Sequence, residues 1–480
     1  MVDGIVELRN KLDNNEISSL ELFNNSVDLA KKLQDDYNSF VTIIDSFEEK
    51  DSNSLISGIP YALKDNISTK GILTTASSNI LNNYVPVYDA TIYKKLKASG
   101  AILMGKTVLD ELAMGGTGTT GHTGIVRNPW DRTRMIGGSS AGSAAAVALG
   151  IVPFAIGSDT GDSIRKPAAY GGVVGFKPTY GRISRYGLFA FASSLDHLGV
   201  FARNVRDVAI VTDIVKGHDE RDMTSLPDDN KIYVDTLTNS VDCKKLFYIK
   251  EALENNDNDK ELNKIIDNFN EVIKRCNDLG IEVCEESIPR ELLQALYPAY
   301  MSISCAEVTS NDANLTGIHF GVRGEGNTPN EIISDARTKG FSELIKRRFV
   351  IGSYILQKEN QEKLFLNACR VRRMIVDRIN KLFEKYDGLI MPAAASIAPK
   401  FDEKSDKLSN KYLVLDNHMV IGNFGGFPSI TIPSGFVDNM PVGINLTGRV
   451  CEDDLILNIA NKIEETMDYK NQIARGDKNV

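Results

Sequence analysis

Apolar positions along the chain alternate between helical and strand spacing, and the alternation sets out a series of helix–strand units. Leu22, Phe23, Val27 and Ala30 recur at helical spacing behind the capping-box pair Ser18 and Glu21, and SFVTIID (Ser39–Asp45) reads as a strand. GIPYALKDN reads as a strand ending at a lysine, with Pro60 near its entrance. Asp89 is placed to cap the helix ATIYKKLKAS, Gly100 stops it, and AILMG (Ala101–Gly105) is the next strand. The unit returns at KLFYIK (Lys245–Lys250). A helix with Leu262, Ile265, Phe269, Val272 and Cys276 on one face follows, then a stop at Gly280 and the strand IEVCEESI. Gln361–Tyr386 reads as a long helix, DGLIMP, SITIP and PVGINLTG as strands, and Glu452–Met467 as a closing helix. Such alternation predicts an α/β protein with helices over a mainly parallel sheet.

One stretch departs from this rhythm. Ile136–Phe176 is apolar in the middle and carries serines in two glycine-flanked turns: GGSS (Gly137–Ser140) and SDTGDSIR (Ser158–Arg165). Between them, AAAVALGIVPFAIG reads as a helix of small residues running into a buried strand. Glycines around a serine let backbone approach a substrate closely, and consecutive N–H groups in such a turn can face a developing oxyanion.

Composition narrows the options. With 480 residues and 42% apolar content the chain can bury a large core. Length alone suggests about three domains, but no Gly/Ser linker, low-complexity run or repeat divides it, so a single large domain is expected. A net charge of −9 gives no basic face for nucleic acid. Six cysteines without a CxxC pair and five scattered histidines predict reduced thiols and no metal site. The N-terminal stretch lacks a signal-peptide pattern, and the longest apolar run is below the ~20 residues of a spanning helix. A cytoplasmic protein without a membrane segment is expected.

Three short motifs give misleading leads. Gly138–Gly142 matches the GxSxG nucleophile elbow, but RTRMI, not an apolar strand, precedes it. Ser163–Lys166 matches SxxK, yet neither SDN nor KTG occurs. Gly116–Gly121 matches GxGxxG but leads into HTGIVRNPW rather than a helix, so it reads as a substrate-lining loop.

Four longer stretches carry a resemblance: GIPYALKDNI, VRNPWDRTRMIGGSSAGSAAAVA, GSDTGDSIRKPAA and GFKPTYGRISRYGLFAFASSLDHLG. Together they resemble the amidase signature family over roughly Gly58 to Gly199. The resemblance implies a mixed central sheet covered by helices on both faces. It also implies an N-terminal helical segment (about 1–50), a signature core (about 58–200) and a C-terminal substrate-recognition part (about 330–450). Carried over residue by residue, it places the nucleophile on Ser163, the bridging serine on Ser139 and the base on Lys64. The backbone N–H groups of Thr160, Gly161, Asp162 and Ser163 would form the oxyanion hole. A lysine must be neutral to take a proton, and burial in an apolar pocket lowers its pKa in that direction. Ser140 is expected to cap or orient the following helix. Asp162 departs from the pattern, which has glycine there, and Lys166 is a milder departure. Asp162 either restrains the oxyanion turn or pairs with Lys166 or Arg165.

Within the family, VRNPWD, SRYGLFAFASSLD, KRRFVIGSYIL and FEKYDGLIMP resemble the branch of tRNA-dependent amidotransferase A subunits. That branch takes ammonia from glutamine. It places an arginine for the substrate carboxylate on Arg348 and an aspartate for the ammonium group on Asp416, ahead of Asn423. The resemblance further implies a heterotrimer with B and C subunits, misacylated tRNA held mainly through the B subunit, and ATP and magnesium on that partner, with no cofactor in this chain. A stand-alone amidase for small carboxamides and a non-catalytic scaffold are the alternatives.

Overall fold

The computed structural model describes residues 3–50, 52–238, 240, 243–255, 258–402 and 415–474. The strands are β1 (Phe40–Ile43), β2 (Pro60–Lys64), β3 (Ile102–Thr107), β4 (Phe154–Asp159), β5 (Val174–Lys177), β6 (His197–Ala202), β7 (Lys245–Ile249), β8 (Glu282–Glu286), β9 (Gly388–Pro392), β10 (Ser429–Val437) and β11 (Met440–Thr447). They form a single sheet in the order β1-β3-β2-β4-β6-β5-β10-β11-β9-β7-β8.

Successive strand residues enter different apolar layers, as the two-residue period of a strand requires. Tyr61 and Leu63 of β2, Phe154 and Ile156 of β4 and Ile390 of β9 join one layer. The helices Thr91–Ala98, Val205–Val215 and Asp453–Glu464 cover it. On the opposite face Ala62 and Ala155 pack against the helices Ser19–Tyr37 and Ala141–Ala148. Leu389 and Met391 pack there against Leu296–Asn311 and Asn367–Phe383. Helices therefore cover both faces of one α/β domain.

The sheet is mixed, not mainly parallel. β2–β3, β2–β4, β7–β8 and β7–β9 run parallel, whereas the centre from β4 through β6, β5, β10 and β11 to β9 is antiparallel. Its hairpin, β10–β11, turns on Asp438 and Asn439, whose φ values of 48° and 63° suit a two-residue connection. β10 runs past Pro433 to Val437 because the proline sits at a register shift, where its missing N–H costs no ladder bond. Two other expectations change. Ala90, not Asp89, occupies the N-cap, and Asp89 Oδ1 accepts the Lys70 N–H at 2.7 Å. The long C-terminal helix is interrupted by a π-helical turn, Glu362–Leu366, before Asn367–Phe383. The Ser18–Glu21 capping box is present, and Gly100 and Gly280 stop their helices at φ +77° and +80°. Among the described residues no helix is long and apolar enough to cross a membrane.

Candidate active site

Parallel strands β2 and β4 end side by side, and the candidate residues gather at their carboxyl ends. Lys64 is the last residue of β2, fully buried on a strand buried along its whole length. Its Nζ meets Ser139 Oγ at 2.9 Å, Ser140 Oγ at 2.9 Å and Ser158 Oγ at 2.8 Å. Burial pushes its pKa down to about 7, against the opposing pull of Asp110, Asp159 and Asp196.

The hydroxyls around Nζ differ in what they can do. Ser140 Oγ donates to the Ser158 carbonyl at 2.9 Å, so toward the amine it only accepts. Ser158 Oγ accepts a second bond, from Asn66 Nδ2 at 3.1 Å. The Ser139 hydroxyl proton has no other acceptor among the described residues. The Ser158 hydroxyl proton has none either, so a neutral Lys64 can donate to Ser140 and accept, through its lone pair, from Ser139 or Ser158. Ser140 thus serves Lys64 and does not cap the helix Ala141–Ala148, where no side-chain cap bond forms.

Ser139 lies in a tightly packed turn after a cis Gly138–Ser139 peptide bond. A Cβ on Gly138 would stand 2.0 Å from Asp110 Oδ2, so no side chain fits. Buried Asp110 holds the turn: its N–H donates to the Ser139 carbonyl at 3.1 Å. Its carboxylate accepts from the backbone of Thr117, Gly118, Thr119 and Thr120. Those amides belong to the GxGxxG-like loop, so an internal aspartate fills the place a dinucleotide phosphate would take.

The second serine turn is anchored from inside. Fully buried Arg165 forks onto Asp159, with Nε–Oδ2 at 3.1 Å and a second nitrogen to Oδ1 at 2.9 Å, and also donates to the Gly161 carbonyl at 2.8 Å. Burial opposes the charge on Asp159, but the guanidinium holds its carboxyl well below the usual range. Asn423 donates to Asp159 Oδ1 at 2.9 Å, and the Ile164 N–H to Oδ2 at 2.9 Å. Thr160 Oγ1 donates to Asp196 at 2.6 Å, and burial pushes that acid up to about 6. In the turn so fixed, the N–H groups of Gly161 and Ser163 have no protein acceptor among the described residues. Ser163 is 4% exposed, and its carbonyl accepts the Ser140 N–H at 3.1 Å, which ties the two serine turns together. No hydrogen bond joins Ser163 Oγ to Ser139 Oγ in this structure.

Arg348 approaches from the helix Glu343–Leu356. One turn on, a Cβ at Gly352 would lie 2.0 Å from the Cys305 carbonyl, so glycine lets this helix press against Leu296–Asn311. That contact places Arg348 beside Met301 Sδ, at 3.7 Å, and over the Phe191 ring, 5.6 Å to its centroid. No carboxylate of the described residues pairs with it. Tyr300, on the same helix as Met301, packs on Gly161; a Cβ there would stand 3.0 Å from its ring. Asp416 is reached by Lys166 Nζ, 3.5 Å from Oδ1, and by the Ala395 N–H at 3.4 Å. Arg165 is engaged by Asp159, and Lys166 lies within reach of Asp416. The loose match YLVLDNHMVIGN begins at residues 412–414, which lie outside the described residues. No group of three or more His, Cys, Asp or Glu among the described residues is placed to hold a metal.

Sequence reasoning did not single out Asp110, Ser158, Asp196 or Tyr300. Asp196 and Ser158 lie inside recognisable motifs, but nothing in their spacing signals the contacts they make. Tyr300 lies outside every motif.

The chain has relatives of known name along nearly its whole length. The family named Amidase matches residues 21–457. The glutamyl-tRNA(Gln) amidotransferase A subunit of Heliobacterium modesticaldum is 39% identical over 474 residues, 96% of each chain. Its counterpart from Streptococcus pneumoniae is 40% identical over 479 residues, 98% of this chain and 97% of the relative. The crystal structure of the Thermotoga maritima glutamyl-tRNA(Gln) amidotransferase A subunit superposes with a TM-score of 0.82 at 36% identity, covering 98% of this chain and 96% of that one. The peptide amidase of Stenotrophomonas maltophilia shares the fold, with a TM-score of 0.82 at 22% identity and 99% coverage of both chains.

Proposed function

The chain belongs to the amidase family, and from that premise we propose that it is the glutamine-hydrolysing subunit of a tRNA-dependent amidotransferase. One observation carries the chemistry: a fully buried Lys64, with its pKa near neutrality, contacts Ser139 in a turn bonded directly to the Ser163 main chain.

In this reading Ser163 Oγ attacks the side-chain amide of glutamine. Its proton passes to Ser139, whose own proton moves to Lys64 Nζ. The backbone of Thr160–Ser163 holds the oxyanion; donors fixed in advance need no reorganisation as charge develops. Collapse of the tetrahedral adduct breaks the C–N bond, and the same relay returns a proton to the departing ammonia. Water then adds to the glutamyl ester on Ser163, the C–O bond breaks, and glutamate leaves. Unpaired Arg348 suits the α-carboxylate, since a guanidinium without a protein anion gains most from a substrate anion.

Ammonia would pass to a B subunit that activates the misacylated tRNA with ATP and magnesium, a small C subunit completing a heterotrimer. The proposal places this complex in the cytoplasm. Ammonia release from glutamine by the chain co-expressed with its partner subunits tests the reading. Release is expected from wild type and is abolished in Ser163→Ala. Equal release by both, or release from simple amides but not glutamine, rejects it.

A further inference from the structure

The guanidinium of Arg348 rests on two neutral groups. Its Nη1 lies 3.7 Å from Met301 Sδ, and its Cζ stands 5.6 Å from the centroid of the Phe191 ring. A thioether is a weak, uncharged acceptor, and a ring face attracts a cation without neutralising it. Arg165 shows the contrast, since Asp159 takes up its charge in a two-oxygen fork. Cys305 follows Met301 by four residues, on the same face of the helix Leu296–Asn311. Burial raises its thiol pKa above the ordinary value, so this second sulfur is neutral too.

One helix carries this seat and fixes it relative to the Ser163 turn. Tyr300, the residue before Met301, packs on Gly161. Asn311, at the end of the helix, donates to the Phe191 carbonyl at 3.1 Å. The Phe191 N–H donates at 2.9 Å to Asp196, which also accepts from Thr160 of the oxyanion turn. The only carboxylate of the helix, Glu307, is taken by Ser194, whose N–H and hydroxyl donate to it at 2.9 Å and 2.6 Å. The helix therefore brings a sulfur, not an anion, to the arginine. An anion in that place would compete with a substrate carboxylate for the same donors.

We propose that Met301 is a positioning residue for Arg348: its thioether seats the guanidinium without neutralising it and leaves the charge to the α-carboxylate of the substrate. The inference rests on the glutamine reading above and names the residue that keeps its carboxylate site open.

The test compares glutamine with 4-aminobutanamide, which keeps the amide and the ammonium but lacks the carboxylate, in the fully assembled enzyme. Met301→Glu and Met301→Gln have nearly the same shape and differ in charge. Met301→Glu is expected to raise KM for glutamine at least about tenfold with kcat within about twofold, and to change kcat/KM for 4-aminobutanamide less than about twofold. Met301→Gln, a neutral acceptor, is expected to raise the glutamine KM less than about threefold, a split that a purely structural role would not give. Met301→Leu, an apolar seat without an acceptor, is expected to raise it about threefold and keeps the inference testable if the glutamate variant does not assemble. Three results overturn the inference alone: equal glutamine KM values in Met301→Glu and Met301→Gln, equal losses on both substrates in Met301→Glu, or an unchanged glutamine KM in Met301→Leu. A wild-type enzyme that hydrolyses 4-aminobutanamide but neither hydrolyses glutamine nor binds it in the Ser163→Ala form overturns this inference and the glutamine reading together.

Discussion

With Lys64 as the base proposed above, its protonation state is expected to set the pH dependence of the enzyme. An ordinary lysine with a pKa of 10.5 is neutral in about one molecule in 3,000 at pH 7, whereas one at about 7 is neutral in about half. Burial thus multiplies the competent base by roughly a thousandfold or more, equivalent to about 5 kcal/mol of differential interaction between its two forms. The expected result is a kcat/KM for ammonia release that rises with pH and is half-maximal near 7, reporting the free enzyme. Lys64→Arg, which stays protonated, removes the activity. Asp196 is the other acid nearby that titrates in this range, at about 6. Its negative charge raises the lysine pKa, so Asp196→Asn moves the ascending limb to lower pH without abolishing it.

The same shift gives an independent readout in stability. Below about pH 7 the lysine is protonated in both folded and unfolded chains, and its contribution is flat. Between about 7 and 10.5 the unfolded chain keeps a proton that the folded one has released, so the folded state gains as pH rises. Urea unfolding of wild type and Lys64→Met should therefore diverge in favour of wild type by about 1.4 kcal/mol per pH unit across that window. A constant difference between pH 7.5 and pH 9, with an activity limb that does not move in Asp196→Asn, would refute the assignment of Lys64 as the base.

Three further outcomes follow from the packing. Arg165→Leu strands Asp159 as an unpaired buried charge and should cost about 3–5 kcal/mol, measured by urea unfolding, with loss of activity as the turn relaxes. Gly161→Ala puts a Cβ 3.0 Å from the Tyr300 ring and should lower kcat about 10- to 100-fold, with unfolding little changed, because an oxyanion donor is displaced. Arg348→Met removes the unpaired guanidinium and should raise KM for glutamine at least about tenfold in steady-state assays.

Local chemistry was the legible part of the sequence. The Ser18–Glu21 box, the stops at Gly100 and Gly280, and the small-residue helix Ala141–Ala148 running into β4 all appear where spacing and capping placed them. Each depends on residues close in the chain. Strand direction was not legible: the antiparallel centre joins β5 to β10, segments more than two hundred residues apart, through contacts that no local period records. The site divides in the same way. Family motifs led to Lys64, Ser139 and Ser163, whereas Asp110 and Tyr300 reach it through loop and helix packing. Asp89 failed as a cap because its carboxylate found the Lys70 N–H across a loop, a competitor the local pattern does not contain.

Burial alone does not select Lys64 as the base, since Lys106, Arg165 and Lys177 are equally inaccessible. The acceptors around each cation make the distinction. Lys106 donates to the Ile67 carbonyl and to Thr69 and Thr74, whose own hydroxyls already donate to the Ile67 and Ile72 carbonyls, and Asp65 lies 3.7 Å away. Its pKa, lowered by burial to about 8, changes a charge that has no proton donor beside it. Lys177 faces the carbonyls of Phe427 and Pro178, which accept and never donate. Arg165 is fixed in its fork with Asp159 and does not deprotonate. Lys64 alone of the four meets hydroxyls, those of Ser139 and Ser158, whose protons are not already held by a carbonyl. A buried amine becomes a base only where a neighbour can hand it a proton, and in this core that condition is met at the turn bonded to Ser163.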